Sequence, residues 1–254
     1  MLEIELVPLL SDNYGYLIRD AVEDVTGFVD PAQADPVLDL LDAKGIALDW
    51  ILITHYHQDH SGGVRDLIQA TGCRGTGPRA EAAKVPGIDV ALSDGDGFDL
   101  GAFHAQVMET PGHTAGHISY WFKDAKALFP GDTLFSLGCG RLFEGSPETM
   151  WRSLSKFAAL PDEAKIYCGH EYTQANARFA LSIDPDNEAL RQRAEEVNRL
   201  RADGKPTLPT TLGLERETNP FLRPNDPAIR AKLRMEQASD VEVFAEIRRR
   251  KDNA

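Results

Sequence analysis

The chain has 254 residues, 42% hydrophobic and 26% charged, the composition of a globular protein long enough to bury a sizeable core. A formal net charge of -13 argues against a nucleic-acid partner, because binding a polyanion rests on a basic surface that neutralises phosphates. The N-terminal run Met1-Leu2-Glu3-Ile4-Glu5 has no basic or apolar leader character, and no window approaches the roughly 18 apolar residues that span a bilayer; no membrane partner and a cytoplasmic protein are expected. Cys73, Cys139 and Cys168 include no CxxC pair, which points to buried thiols rather than a disulfide framework or a thiolate zinc site.

In chain order, the first 170 residues read as short strands interleaved with a few helices. Apolar or alternating segments at 4–7, 15–18, 27–29, 51–53, 105–108, 118–122 and 127–129 are separated by Gly, Pro and Asp. Helical patterns lie at 35–43, opened by acids and closed by Gly45, at 64–70, ending in Thr71-Gly72, and at 147–159, with Pro147 at the start. That mixture predicts an α/β fold of sheets covered by helices. Beyond Gly169 helix formers take over, at 174–181, 187–202, 228–236 and 241–250, and strand signals nearly vanish. The change of texture predicts two domains, 1–172 and a smaller, mostly helical 173–254, joined through the Pro- and Thr-rich stretch 205–224.

The chemistry concentrates where strands end. Thr54-His55-Tyr56-His57-Gln58-Asp59-His60 packs four potential metal ligands into six residues, directly after Trp50-Ile51-Leu52-Ile53. A strand exposes alternate residues on one face, so His55 and His57 can meet one ion while Asp59 and His60 turn toward a neighbouring position. Three later turns follow the same plan: Thr110-Pro111-Gly112-His113-Thr114, Pro130-Gly131-Asp132-Thr133 and Cys168-Gly169-His170-Glu171. Each delivers one candidate ligand beside a glycine, which permits sharp turns and close backbone approach.

Together these motifs resemble the metallo-beta-lactamase-fold hydrolases, and within them glyoxalase II, the hydroxyacylglutathione hydrolases. The likeness covers nearly the whole chain, including Asp12-Asn13-Tyr14, Gly138-Cys139-Gly140-Arg141-Leu142-Phe143-Glu144-Gly145, Gly169-His170-Glu171-Tyr172-Thr173, Asn219-Pro220-Phe221-Leu222-Arg223 and the tail Ile247-Arg248-Arg249-Arg250-Lys251. It implies an αββα sandwich, 1–172, followed by a helical C-terminal domain, 173–254, that helps bind glutathione. It further implies two divalent metal ions per chain, zinc before iron or manganese: His55, His57 and His113 on the first, Asp59, His60 and His170 on the second, and Asp132 bridging. The substrate implied is S-D-lactoylglutathione, cleaved to D-lactate and glutathione by a metal-bridging hydroxide in the second step of methylglyoxal detoxification. Asp59 would be both ligand and catalytic group orienting the nucleophile. Arg141, Tyr172, Arg248 and Lys251 would contact glutathione, Arg248 and Lys251 from one helix face. Phe143 stands where some members carry tyrosine, so a hydroxyl contact is absent there. His117 reads as a supporting group rather than a ligand, His104 as surface, and Asp30 as either a turn residue or a neighbour of the site. A monomer is the default assembly. A persulfide dioxygenase would need one iron and fewer protein ligands; a beta-lactam or lactone hydrolase, or another thioesterase, would share the metal site without the Arg248 and Lys251 tail.

Overall fold

The computed structural model describes residues 1–254, which divide into two compact units: residues 1–110 with 115–131, and 111–114 with 132–254.

The first unit holds a six-stranded sheet in sequential order: β1 (Leu2–Leu9), β2 (Asn13–Asp20), β3 (Val25–Val29), β4 (Trp50–Leu52), β5 (Arg74–Pro78) and β6 (Ile88–Leu92). β1 to β3 are antiparallel, whereas β3 to β6 pair in parallel. Parallel neighbours need crossovers. Helix α1 (Asp35–Lys44) supplies the first, with proline in its first turn and Gly45 in the left-handed conformation closing it. Helices α2 (Gln58–Ser61) and α3 (Val64–Thr71) supply the second. Strands β7 (Gly97–Leu100), β8 (Phe103–Glu109), β9 (Ile118–Phe122) and β10 (Ala127–Gly131) form an antiparallel meander.

The two layers of strands meet through buried aromatic and branched side chains. Tyr16 packs edge-on against Phe129 at 5.6 Å between centroids, and Trp50 against Phe98 at 5.1 Å. Helices α1 and α3 turn Val37, Leu41, Val64 and Leu67 onto a cluster containing Phe28, Ile51 and Ile53, so the inner strands of the first sheet are buried on both faces. Such strands read as continuous apolar runs, which is why residues 51–53 were visible in the sequence. β5, β6 and β7 were not, because Gly75 and Gly77 interrupt β5 and alternation is short elsewhere.

The second unit contains the hairpin β11 (Leu134–Phe135) and β12 (Gly138–Cys139), then α4 (Pro147–Lys156), β13 (Lys165–Cys168), α5 (Thr173–Ile183), α6 (Glu188–Ala202), β14 (Thr210–Thr211), α7 (Leu212–Thr218), α8 (Pro227–Leu233) and α9 (Asp240–Asp252). The expected sandwich and mainly helical C-terminal part are therefore present. The joining stretch 205–224 is not a linker: it folds as β14, α7 and a 3-10 turn at Pro220–Leu222. Glu215 explains the order there. Its buried carboxylate accepts from Ser136 Oγ, Leu137 N, Thr210 Oγ1 and Asn219 Nδ2, bonds among residues far apart in sequence that no local pattern announces. Burial outweighs these donors and pushes the Glu215 carboxyl above its usual range. No helix is long and apolar enough to cross a membrane.

Candidate active site

In the first unit the ligand-bearing loop leaves β4 under restraint. Ile53 N donates to Thr76 O, Tyr120 Oη donates to Ile53 O, and Ile118 N donates to Thr54 O. The following residues do not continue as a strand. His57 sits at the N-terminus of α2, and Asp59 and His60 occupy that short helix, so the chain turns between the two pairs of candidate ligands. His55 Nε2 and His57 Nδ1 lie 3.1 Å apart. Two nitrogens on one tetrahedral zinc at about 2.0–2.1 Å would be separated by roughly 3.3 Å, so the pair fits a shared ion.

His60 is buried and its Nδ1 lies 3.0 Å from Asp30 Oδ2. Asp30 in turn accepts from Thr54 N on Oδ1 and from Thr54 Oγ1 on Oδ2. A histidine that gives its Nδ1 proton to a carboxylate presents Nε2 as a bare lone pair, the arrangement that fixes metal-ligating imidazoles. The two readings left open for Asp30 are both met: it turns the chain at φ 51° and also orients His60. Asn13 does the same for Asp59, donating from Nδ2 to Asp59 O at 2.9 Å and Oδ2 at 3.2 Å.

His117 is fully buried, stacks on His55 at 4.8 Å, and shares a hydrogen bond with Thr110 Oγ1. It supports the His55 ring, as expected. A Cβ on Gly131 would lie 2.6 Å from His117 Nε2 and 2.5 Å from Thr54 Oγ1, and the residue has φ 49°, so glycine is required where β10 passes these side chains. His104 pairs with Asp99 at the surface, with 62% of its side chain exposed.

The second unit supplies the other candidates. His113 lies in the turn Pro111–Thr114, which is pinned by Gly145 N on Gly112 O and Ser153 Oγ on Pro111 O. Its Nδ1 lies 2.8 Å from the Arg141 carbonyl, which can only accept, so the ring lone pair sits on Nε2. Asp132 follows β10 and His170 follows β13; Asp132 Oδ2 is 3.4 Å from His113 Nε2 and 3.3 Å from His170 Nε2. One carboxylate oxygen placed between two imidazole nitrogens is the donor set of a bridge between two cations. Gly140 closes this corner: a Cβ there would be 1.9 Å from Asp132 O.

Of the residues expected to meet substrate, Tyr172 borders His170 and Arg141 borders His113. Tyr172 stacks on His170 at 4.6 Å with 4° between planes, and Phe143 stands edge-on to His113. Arg141 is exposed and Phe143 is 60% exposed. Arg248 and Lys251 do share one face of α9, lying over Phe221 and Phe179 respectively, each at 5.2 Å. Neither is an unengaged clamp. Arg248 is buried and donates from Nη1 to Cys139 O and from Nη2 to Asp252 Oδ1; Lys251 Nζ donates to Ala175 O. Burial, with Arg248 and Arg178 nearby, lowers the Lys251 ammonium from its ordinary value. Sequence reasoning missed Asp252 altogether.

All three cysteines are buried and none is in a disulfide. Burial pushes the Cys139 thiol up to about 11 and raises those of Cys73 and Cys168, so no thiolate nucleophile is available near neutral pH.

Residues 16–170 match the metallo-beta-lactamase superfamily model, and residues 171–254 match the model described as hydroxyacylglutathione hydrolase C-terminus. The chain is 56% identical over 252 residues to a hydroxyacylglutathione hydrolase of Methylococcus capsulatus, covering 99% of this chain and 98% of that protein. It is 52% identical over 252 residues, at the same coverages, to a hydroxyacylglutathione hydrolase of Rhizobium meliloti. Among solved structures, the BLEG-1 B3 metallo-beta-lactamase superposes with a TM-score of 0.67 at 22% identity, over 87% of this chain and 100% of that one, which speaks to the fold alone. Full-length identity above one half, with both family models meeting end to end, establishes that the chain belongs to the hydroxyacylglutathione hydrolase family of the metallo-beta-lactamase superfamily.

Proposed function

We propose that the protein hydrolyses S-D-lactoylglutathione and related 2-hydroxyacyl-glutathione thioesters, water adding across the acyl C–S bond to give D-lactate and glutathione. What carries this reading is the joint match of 16–170 and 171–254 to the two halves of one hydrolase family, in a chain whose His60 and His113 imidazoles are held by their far nitrogens as metal ligands are. The chain binds divalent metal, and the finer assignment is that it holds two ions. His55, His57 and His113 would take the first, Asp59, His60 and His170 the second, and Asp132 would bridge. Support comes from each unit by itself: His55 beside His57 in the first, and Asp132 Oδ2 between the His113 and His170 nitrogens in the second. Zinc is the first choice for such a nitrogen and carboxylate set, with iron or manganese also accommodated. Divalent ions so held would acidify bound water and polarise a thioester carbonyl.

The chain's own residues divide the remaining work. Asn13 holds Asp59 by Oδ2, fixing the carboxylate that would orient the attacking water. Asp30 and the Arg141 carbonyl keep His60 and His113 in the tautomer that ligates. Arg248 and Lys251 in 173–254 would grip the glutathione moiety together with Arg141 and Tyr172 from 1–172, the part that would also carry the catalysis. The reading carries with it a cytoplasmic monomer.

The experiment is steady-state hydrolysis of S-D-lactoylglutathione beside a non-glutathione thioester and a beta-lactam. Strong preference for the first is expected. Equal rates on the two thioesters would discard glutathione recognition, and faster beta-lactam cleavage would discard the thioesterase reading.

A further inference from the structure

Asp252, the last residue of α9, places Oδ1 2.8 Å from Arg248 Nη2 and 3.7 Å from Arg141 Nε. Its charge also raises the affinity of the adjacent Lys251 ammonium for its proton, against the burial that lowers it. Helix energetics do not favour an acid here. The last turn carries the negative end of the macrodipole, and the neighbours Arg249, Arg250 and Lys251 are basic as that demands. An acid placed four residues after its base is also the weaker orientation of such a pair. The carboxylate is held there by cations, against the preference of the helix.

We propose that Asp252 is an affinity-setting residue: its carboxylate occupies the cationic seat made by Arg141, Arg248 and Lys251, and the glycyl carboxylate of glutathione must take that seat from it. The inference rests on the reading of these cations as glutathione contacts. Arg248 makes the competition direct. Its Nη1 is committed to Cys139 O, and its Nε is buried with no acceptor, so Nη2, the nitrogen Asp252 holds, is what it has to offer. Arg141 is 61% exposed and only loosely paired, free to swing to an arriving anion. The glycyl carboxylate is the natural competitor, since the γ-glutamyl carboxylate lies beside its own ammonium.

An internal competitor has a use in this reaction. Substrate and the product glutathione carry the same carboxylate, so a grip on it binds both alike; such uniform binding lowers KM without raising kcat and holds the product back. Exchanging one carboxylate for another weakens the grip on product and never leaves the buried Arg248 charge unpaired.

The test is Asp252→Asn, which keeps the shape and leaves a carbonyl acceptor for Arg248, with Asp252→Ser as a second variant. KM for S-D-lactoylglutathione and the inhibition constant of glutathione are measured on parent and variants, and KM again with the glycyl ethyl ester of the substrate. The expected result is that both constants fall together by about two- to fivefold, the scale of a partly exposed ion pair, with no fall for the ester. Constants unchanged or raised in variants that melt where the parent does would overturn the proposal and make Asp252 a holder of the cations instead. A parent enzyme that does not distinguish the acid from its ester would show that the cations take no carboxylate at all, which overturns the underlying reading as well.

Discussion

Four of the imidazole and carboxylate groups assigned to metal are held from behind by another group: His60 by Asp30, Asp59 by Asn13, His113 by the Arg141 carbonyl, and His55 by the stacked His117. The ligand types and their spacing could be read from the sequence because they lie on short motifs. Their supporters could not, since Asp30 is 30 residues from His60 and Asn13 is 46 from Asp59. Asp30 carried one signal, an acid before proline at a strand end, which turn chemistry explained equally well. Asp30→Asn should keep the turn but lose the carboxylate on His60, lowering metal affinity by about 10- to 100-fold, as loss of an outer partner does; metal competition with a chromophoric chelator reads this directly, and unchanged affinity would reduce Asp30 to a turn residue. Asp132→Ala should lower bound metal and hydrolysis together. Full metal content with full activity in that variant would remove Asp132 from the bridge.

Elements that fill the core announce themselves by periodicity, and elements that are fixed by a buried polar hub do not. Helices α1, α3, α4, α6 and α9 lie within a few residues of where the sequence patterns put them, and the structure adds a Ser239 and Glu242 capping box that opens α9. Helix α7 was hidden in a Pro- and Thr-rich stretch because what orders it is Glu215, whose partners span from Ser136 to Asn219. Glu215→Gln would face an amide NH2 toward donors that need an acceptor. A loss of about 1–3 kcal/mol in unfolding free energy is expected, read by denaturant titration; no loss would mean that the hub does not hold α7. The same substitution removes a pH dependence. The Glu215 carboxyl is raised in the folded protein, so the fold binds the extra proton there. The parent should lose stability as pH rises from the ordinary carboxylate value through the raised one, and the variant should not.

At the scale of the molecule, a chain with net charge -13 meets an anionic thioester only through local cations, and α9 concentrates them in Arg248, Arg249, Arg250 and Lys251. Arg248→Ala is expected to raise KM for the glutathione thioester more than it lowers kcat, the signature of lost uniform binding. A fall in kcat at constant KM would place Arg248 in the fold alone. The fold class was legible because strand and helix textures separate along the chain and the ligand turns all follow strands. The second compact unit was less so, since its turn Pro111–Thr114 is built on residues 140–153, a pairing no local pattern encodes.

A dinuclear metal site that cleaves glutathione thioesters would make activity depend on both ions. The decisive measurement strips the protein with a chelator, confirms by circular dichroism that it stays folded, and titrates zinc back while following S-D-lactoylglutathione hydrolysis. Negligible activity is expected in the stripped protein, with recovery that saturates near two equivalents per chain. Full activity in the metal-free protein, or recovery complete at one equivalent, would contradict a dinuclear catalytic site.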